Sequence, residues 1–192
     1  MKRLTSLVMA LIASVSMFAQ QQEVGSLTFN GLVGAGYGTL SEVKSELDNG
    51  LMYSIGVNAK YQAAGNLYLT GGLDYRGFKG DEYKESIGEY SKKEALNFGY
   101  IDVPVLAHYT FGSHFGVFAG LQPGFLISAK NDDTNFKDEC ESFNFSIPIG
   151  IEWTFNSPMT LSAKYVIPCT KWYDNVYESK MSYFMLTFGS SF

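Results

Sequence analysis

Between Tyr100 and Ser128 the chain alternates at every second residue, in the opposite sense to a water-soluble β protein. Ile101, Val103, Val105, Ala107 and Tyr109 fall on one face, against Tyr100, Asp102, Pro104, Leu106, His108 and Thr110. After the short Gly112-Ser113-His114 turn, Phe115, Val117, Ala119, Leu121, Phe125 and Ile127 oppose Gly116, Phe118, Gly120, Gln122, Gly124 and Ser128. A period of two is the signature of a β-strand, and two such runs joined by a glycine-containing turn read as an antiparallel pair. The first face is large and continuous. The second is rich in glycine and polar groups, too thin and wet for a dry core. A barrel whose outer wall touches lipid accounts for both faces.

The same unit recurs along the chain. Strands are expected at Leu27–Thr39, Leu51–Gln62, Leu67–Arg76, the two arms of the opening hairpin, Phe143–Phe155, Met159–Ile167 and Lys180–Phe192. That makes eight strands of about the 9–11 residues that cross a bilayer at a tilt. The connections alternate between short turns and polar loops at 41–50, 79–94, 129–142 and 168–179. In a bacterial outer-membrane barrel the short turns face the periplasm and the long loops face outward. Tyr37, Tyr53, Tyr61, Tyr75, Tyr109, Trp153, Phe155 and Tyr165 lie near the ends of outward faces, as an aromatic belt requires. Pro104, Pro123 and Pro148 conflict with this reading, because proline removes a ladder donor. Bulges or lumen water are expected to absorb the lost bonds.

Lys2 and Arg3 precede an apolar run from Leu7 to Val15 and then Ser16-Met17-Phe18-Ala19. A basic start, a short apolar core and a small residue at the cut describe a secretory signal peptide. Cleavage is expected between Ala19 and Gln20, leaving a short periplasmic segment at 20–26 and one barrel domain at 27–192. Loss of Lys2 and Arg3 takes the net charge from −5 to −7. An acidic chain with no basic run gives no reason to expect nucleic acid.

The inward phase carries Lys60, Asp74, Arg76, Asp102, Glu152 and Lys164, with His108 and Gln122 nearby. Three basic and three acidic groups balance. Eight strands enclose a space that side chains just fill, so an internal ion-pair network plugging the lumen is expected, against the alternative of a selective pore. His108 is the one inward histidine, and it lies toward the short-turn end, away from the outer leaflet where lipid-modifying barrels work. No motif supports catalysis, so the chain reads as a non-enzyme, with no cofactor and no metal site. The acidic cluster Asp132, Asp133, Asp138, Glu139 and Glu141 lacks the glycine and spacing of a calcium loop. Cys140 and Cys169 fall in the third and fourth long loops, which flank the neighbouring sixth and seventh strands. A disulfide between them is expected in an oxidising compartment, stabilising by about 3–4 kcal/mol.

The chain resembles the small outer-membrane β-barrel proteins of the Bacteroidetes, the group that includes the gliding and secretion protein PorT. The resemblance rests on Phe18-Ala19-Gln20, Ile101-Asp102-Val103-Pro104-Val105-Leu106, Phe118-Ala119-Gly120-Leu121-Gln122-Pro123-Gly124, Phe145-Ser146-Ile147-Pro148-Ile149-Gly150 and the terminal Phe192. It covers essentially the whole mature chain. Phe184, Leu186, Phe188 and Phe192 are similar to the signal read by barrel-assembly machinery, with Ser190 where an apolar residue is usual. The resemblance implies an integral outer-membrane protein, with lipid around it, the assembly machinery as a partner in biogenesis and a protein partner at the extracellular loops. A structural or loop-mediated interaction role leads. A narrow porin or transport channel, a component of a secretion or gliding apparatus, and last a lipid-modifying enzyme are the alternatives.

Overall fold

The computed structural model describes residues 24–41, 50–83, 93–131, 134–135, 137, 140–155, 158–171 and 180–192. The signal segment, its cut between Ala19 and Gln20, and loop residues Asp132, Asp133, Asp138 and Glu139 lie outside the described residues. Eight antiparallel strands close into a barrel. They are Leu27–Ser41, Gly50–Ala64, Leu67–Tyr83, a fourth in two halves (Lys93–Asp102 and Val105–Phe111), Phe115–Asn131, Phe143–Thr154, Met159–Pro168 and Lys180–Ser191. Each pairs with its chain neighbour, and the first pairs with the eighth from Asn30↔Ser191 to Ser41↔Lys180. A two-residue strand, Thr134–Asn135, folds back on the end of the fifth.

The barrel's stagger follows from its register. A row of paired residues leads from Tyr37 through Phe184, Tyr165, Ile149, Ala119, Ala107, Leu69 and Tyr61 and re-enters the first strand at Leu27. The shear is therefore 37 − 27 = 10. With a rise of about 3.3 Å and a strand spacing of about 4.8 Å, eight strands at that shear tilt by about 40°.

The greasy face points outward. Leu27, Phe29, Leu51, Ile55, Val57 and Leu73 are all exposed on the outer wall, as are Ile149, Ile151, Phe184 and Leu186. Their partners in the alternation point inward and are mostly buried. Of the expected belt, Tyr37, Tyr53, Tyr61, Tyr109, Trp153, Phe155 and Tyr165 are exposed, and the Tyr75 ring packs tilted against Tyr53.

The prolines mark where the ladder is interrupted. The fourth strand breaks at Val103–Pro104, and two backbone bonds bridge the break. Val103 N–H donates to the Pro123 carbonyl, and Gly72 N–H donates to the Pro104 carbonyl. Between the fifth and sixth strands the pairing lapses from Ala119↔Ile149 to Gln122↔Ser146, the stretch that contains Pro148. A missing donor at each site ends the local pairing without opening the wall.

Three expectations are corrected. The third and fourth strands run on to pair Tyr83 with Lys93, so residues 79–83 and 93–94 belong to the sheet rather than to a loop. An extra residue, Ile127, bulges where Gly99↔Ser128 gives way to Tyr100↔Leu126. The bulge shifts the phase, so Ala129 rather than Ser128 takes the buried place. Finally, the interior is not polar throughout: Met52, Phe78, Phe98, Leu126, Ala129 and Met181 form a buried apolar layer toward the long-loop end.

Candidate functional site

Beneath that apolar layer the lumen holds two tiers of polar side chains, each placed by the inward phase of its strand. In the upper tier Arg76, from the third strand, faces Asp102, from the fourth. Nε donates to Oδ2 at 2.6 Å and Nη2 donates to Oδ1 at 3.1 Å. The planar guanidinium fork matches the carboxylate, so the pair is bidentate. Both residues are almost sealed from solvent, at 3% and 2% exposure. Gln122, from the fifth strand, completes the tier. Its amide nitrogen lies 2.9 Å from Asp102 Oδ2 and 2.7 Å from the Tyr183 hydroxyl. The guanidinium lies 4.2 Å from the Tyr100 ring centroid and 5.1 Å from that of Tyr183, so it is flanked by aromatic faces. Third, fourth, fifth and eighth strands are thereby tied across the interior.

In the lower tier Lys60 Nζ lies 2.8 Å from Glu152 Oε1, and His108 Nδ1 lies 3.0 Å from Glu152 Oε2. The His108 ring also rests on Phe118, with centroids 5.1 Å apart. Lys60 lies over the Tyr68 ring at 4.9 Å and is the most exposed member of the tier. Its flexible apolar stem lets the ammonium reach Glu152 while remaining near the mouth.

Of the six expected lumen charges, the structure brings Lys60 to Glu152 and Arg76 to Asp102. Asp74 and Lys164 face a shared cavity of about 80 Å³ without an ion pair between them. Sequence reasoning put Tyr100 on the inward face without a role and left out Tyr183, the two rings that flank Arg76, and it missed the link that Gln122 makes between Asp102 and Tyr183. Tyr183 falls at the inward phase opposite Phe184 and Leu186, which is the signal that marks it. Among the described residues no group of three His, Cys, Asp or Glu is placed to hold a metal ion.

The cysteine expectation is overturned. Cys140 is buried with the apolar layer, Cys169 is exposed, and no disulfide joins them. Cys169 is held at the end of the seventh strand by its N–H to the Phe145 carbonyl, while Cys140 N–H bonds the Lys137 carbonyl. The two thiols therefore sit in different environments although their strands are neighbours.

The outer-membrane protein beta-barrel domain model matches residues 18–173 of the chain. The chain belongs to that family. It is accordingly an outer-membrane β-barrel, with the exposed apolar wall set in lipid. No curated protein matches the sequence. Among solved structures, Neisserial surface protein A is similar with a TM-score of 0.61 at 15% identity, covering 87% of this chain and 99% of that one. Ail, the attachment invasion locus protein of Yersinia pestis, has a TM-score of 0.54 at 16% identity, covering 88% and 100%. At such identities the likeness is one of fold: a family barrel whose lumen and loops are its own.

Proposed function

We propose that this family member is a plugged barrel that acts through its four long connections, not a conducting pore. The occluded lumen is the observation that carries the reading. The bidentate Arg76–Asp102 pair, Gln122 and Tyr183 cross the interior, and the apolar layer of Met52, Phe78, Phe98 and Met181 lies over them. A conducting path past both would have to break charge-assisted bonds and wet an apolar constriction. Short turns would face the periplasm and long connections the exterior. Between the strand ends, connections 42–49, 132–142 and 169–179 carry more acidic than basic side chains, and 84–92 is balanced. That favours a protein partner with a basic face. A solved structure of Ail holds the heparin analogue sucrose octasulfate; acidic loops suit a polyanion poorly, so the partner here would be of the opposite charge.

The PorT-like resemblance supports a place in a secretion or gliding apparatus as the setting for such a partner. Phe184 and Leu186 are exposed on the final strand and Phe192 just past its end, as recognition by assembly machinery would need. A non-enzymatic role is supported by His108, the one buried histidine, being held against Glu152 and Phe118 at the short-turn end.

The test has two arms. Refolded protein in a planar bilayer should show no discrete conductance, and steady openings would make it a channel. Exchanging residues 84–92 or 132–139 for neutral linkers should abolish co-purification of a partner from envelope extracts while the barrel still folds. Unchanged co-purification would remove the loops from the interaction.

A further inference from the structure

Among the described residues seven buried side-chain polar atoms lack a hydrogen-bond partner, and besides Ser26 Oγ and Gln62 Oε1 they are Thr70 Oγ1, Asp74 Oδ1, His108 Nε2, Gln122 Oε1 and Thr187 Oγ1. The last five of these residues line the same cavity of about 80 Å³ in the lower lumen. Unsatisfied buried polar atoms are rare and costly, and each calls for an occupant. Five on one cavity wall constitute a site.

The chemistry of the wall selects what fits. Asp74 Oδ1 and Gln122 Oε1 are acceptors. With His108 Nδ1 turned to the Glu152 carboxylate, the ring proton is assigned there and Nε2 is left as an acceptor too. The two threonine hydroxyls take either role. The orphaned atoms therefore ask mainly for donors, beside the donating ammonium groups of Lys60 and Lys164 on the same wall. Its charges already balance, with Lys60 and Lys164 against Asp74 and Glu152. An added ion would upset that balance in a low-dielectric interior, whereas an uncharged molecule would not. Leu106, Phe118 and Pro148 supply an apolar flank, the usual complement to a few convergent polar groups. Gln122, bonded to Asp102, forms the far wall, and the partly exposed Lys60 stands at the near end.

We propose that the lower lumen is a blind chamber, entered from the short-turn end, that binds small uncharged hydrogen-bond donors, water being the smallest of them. The volume admits several waters or one short polyol. The inference does not depend on what the loops bind.

The experiment places a thiol in the chamber with the T70C variant, refolded in lipid vesicles and read by peptide mass spectrometry. Native Cys169, exposed, and Cys140, buried, serve as references in the same molecule. Uncharged methyl methanethiosulfonate should modify the new thiol at a rate within about tenfold of Cys169, while sulfonate- and trimethylammonium-bearing reagents should be at least about tenfold slower on the same scale. Glycerol should slow the uncharged reaction, and acetone, which accepts but cannot donate, should slow it less. A thiol no more reactive than Cys140 would mean a sealed interior and overturn the proposal. Equal rates for charged and uncharged reagents, or equal protection by glycerol and acetone, would overturn it as well. T187C, on the eighth strand, carries the same test should T70C not fold.

Discussion

Lys60 and Glu152 bond across the width of the barrel: they lie on the second and sixth of eight strands, diametrically opposed, with Nζ 2.8 Å from Oε1. Neighbouring strands are already joined by their ladders, so a bond between opposed walls adds something the ladders cannot. It fixes the cross-section. Removing one partner leaves the other charge, and His108 with it, uncompensated inside the wall. Glu152→Ala should destabilise by about 2–3 kcal/mol, less than for a fully sealed pair because Lys60 keeps some solvent contact. Urea titration of vesicle-refolded protein measures this. The double variant Lys60→Met, Glu152→Leu should recover most of the loss, and a double variant as unstable as Glu152→Ala would show that the pair is not coupled.

Arg76→Ala should cost more, about 3–5 kcal/mol, because Asp102 would be left as a sealed carboxylate facing aromatic rings. Arg76→Lys should rescue only part of this, since an ammonium cannot reproduce the two parallel bonds to Asp102. Full rescue by lysine in the same titration would mean that charge alone matters and the fork geometry does not.

On the outer wall, Ile55→Lys or Val57→Lys should cost about 2–4 kcal/mol if these positions lie near the bilayer midplane. Both side chains are more than half exposed, at 56% and 54%. Asn58→Lys, one residue past Val57 in the opposite phase and turned inward to Asn30 at 2.7 Å, should lose little beyond one hydrogen bond, about 1 kcal/mol. Equal costs at both faces would contradict the outward assignment of the apolar wall.

Alkylation of the folded protein should modify one thiol, Cys169, and unfolding in urea should expose the second, Cys140. Reductant should leave the mobility of the denatured chain unchanged on a gel. A reductant-dependent shift would restore the bridge that the structure lacks.

The wall of this barrel was legible because lipid on one side and lumen on the other impose a period of two at nearly every position, as from Leu51 to Gln62. Legibility ended where that contrast ended. Beyond Gly77 the third strand continues as Lys79, Gly80 and Asp81, with no apolar outer face left to read, and the strand passed for a loop. The bulge at Ile127 leaves no local mark, since an extra residue in an apolar run looks like any other. The lumen charges could be named from their phase. Their partners could not, because which side chains meet across the interior depends on the stagger of the closed sheet, and a shear of 10 places Lys60 opposite Glu152. The cysteines failed for a related reason. Loops joined to adjacent strands need not bring their thiols together when one is drawn into the apolar layer.

The closure of the sheet has a consequence for the order of events in assembly. Asn30 pairs with Ser191, and Phe192 N–H reaches the Phe29 carbonyl at 2.9 Å. A chain delivered from its amino end must hold the first strand's bare edge until almost everything else has arrived. Contacts so remote in sequence are slow to form, and an unpaired edge cannot persist in hydrocarbon. The barrel thus has no useful partial form. The edge of the first strand therefore has to be covered before it meets hydrocarbon, and in the closed barrel the eighth strand is what covers it.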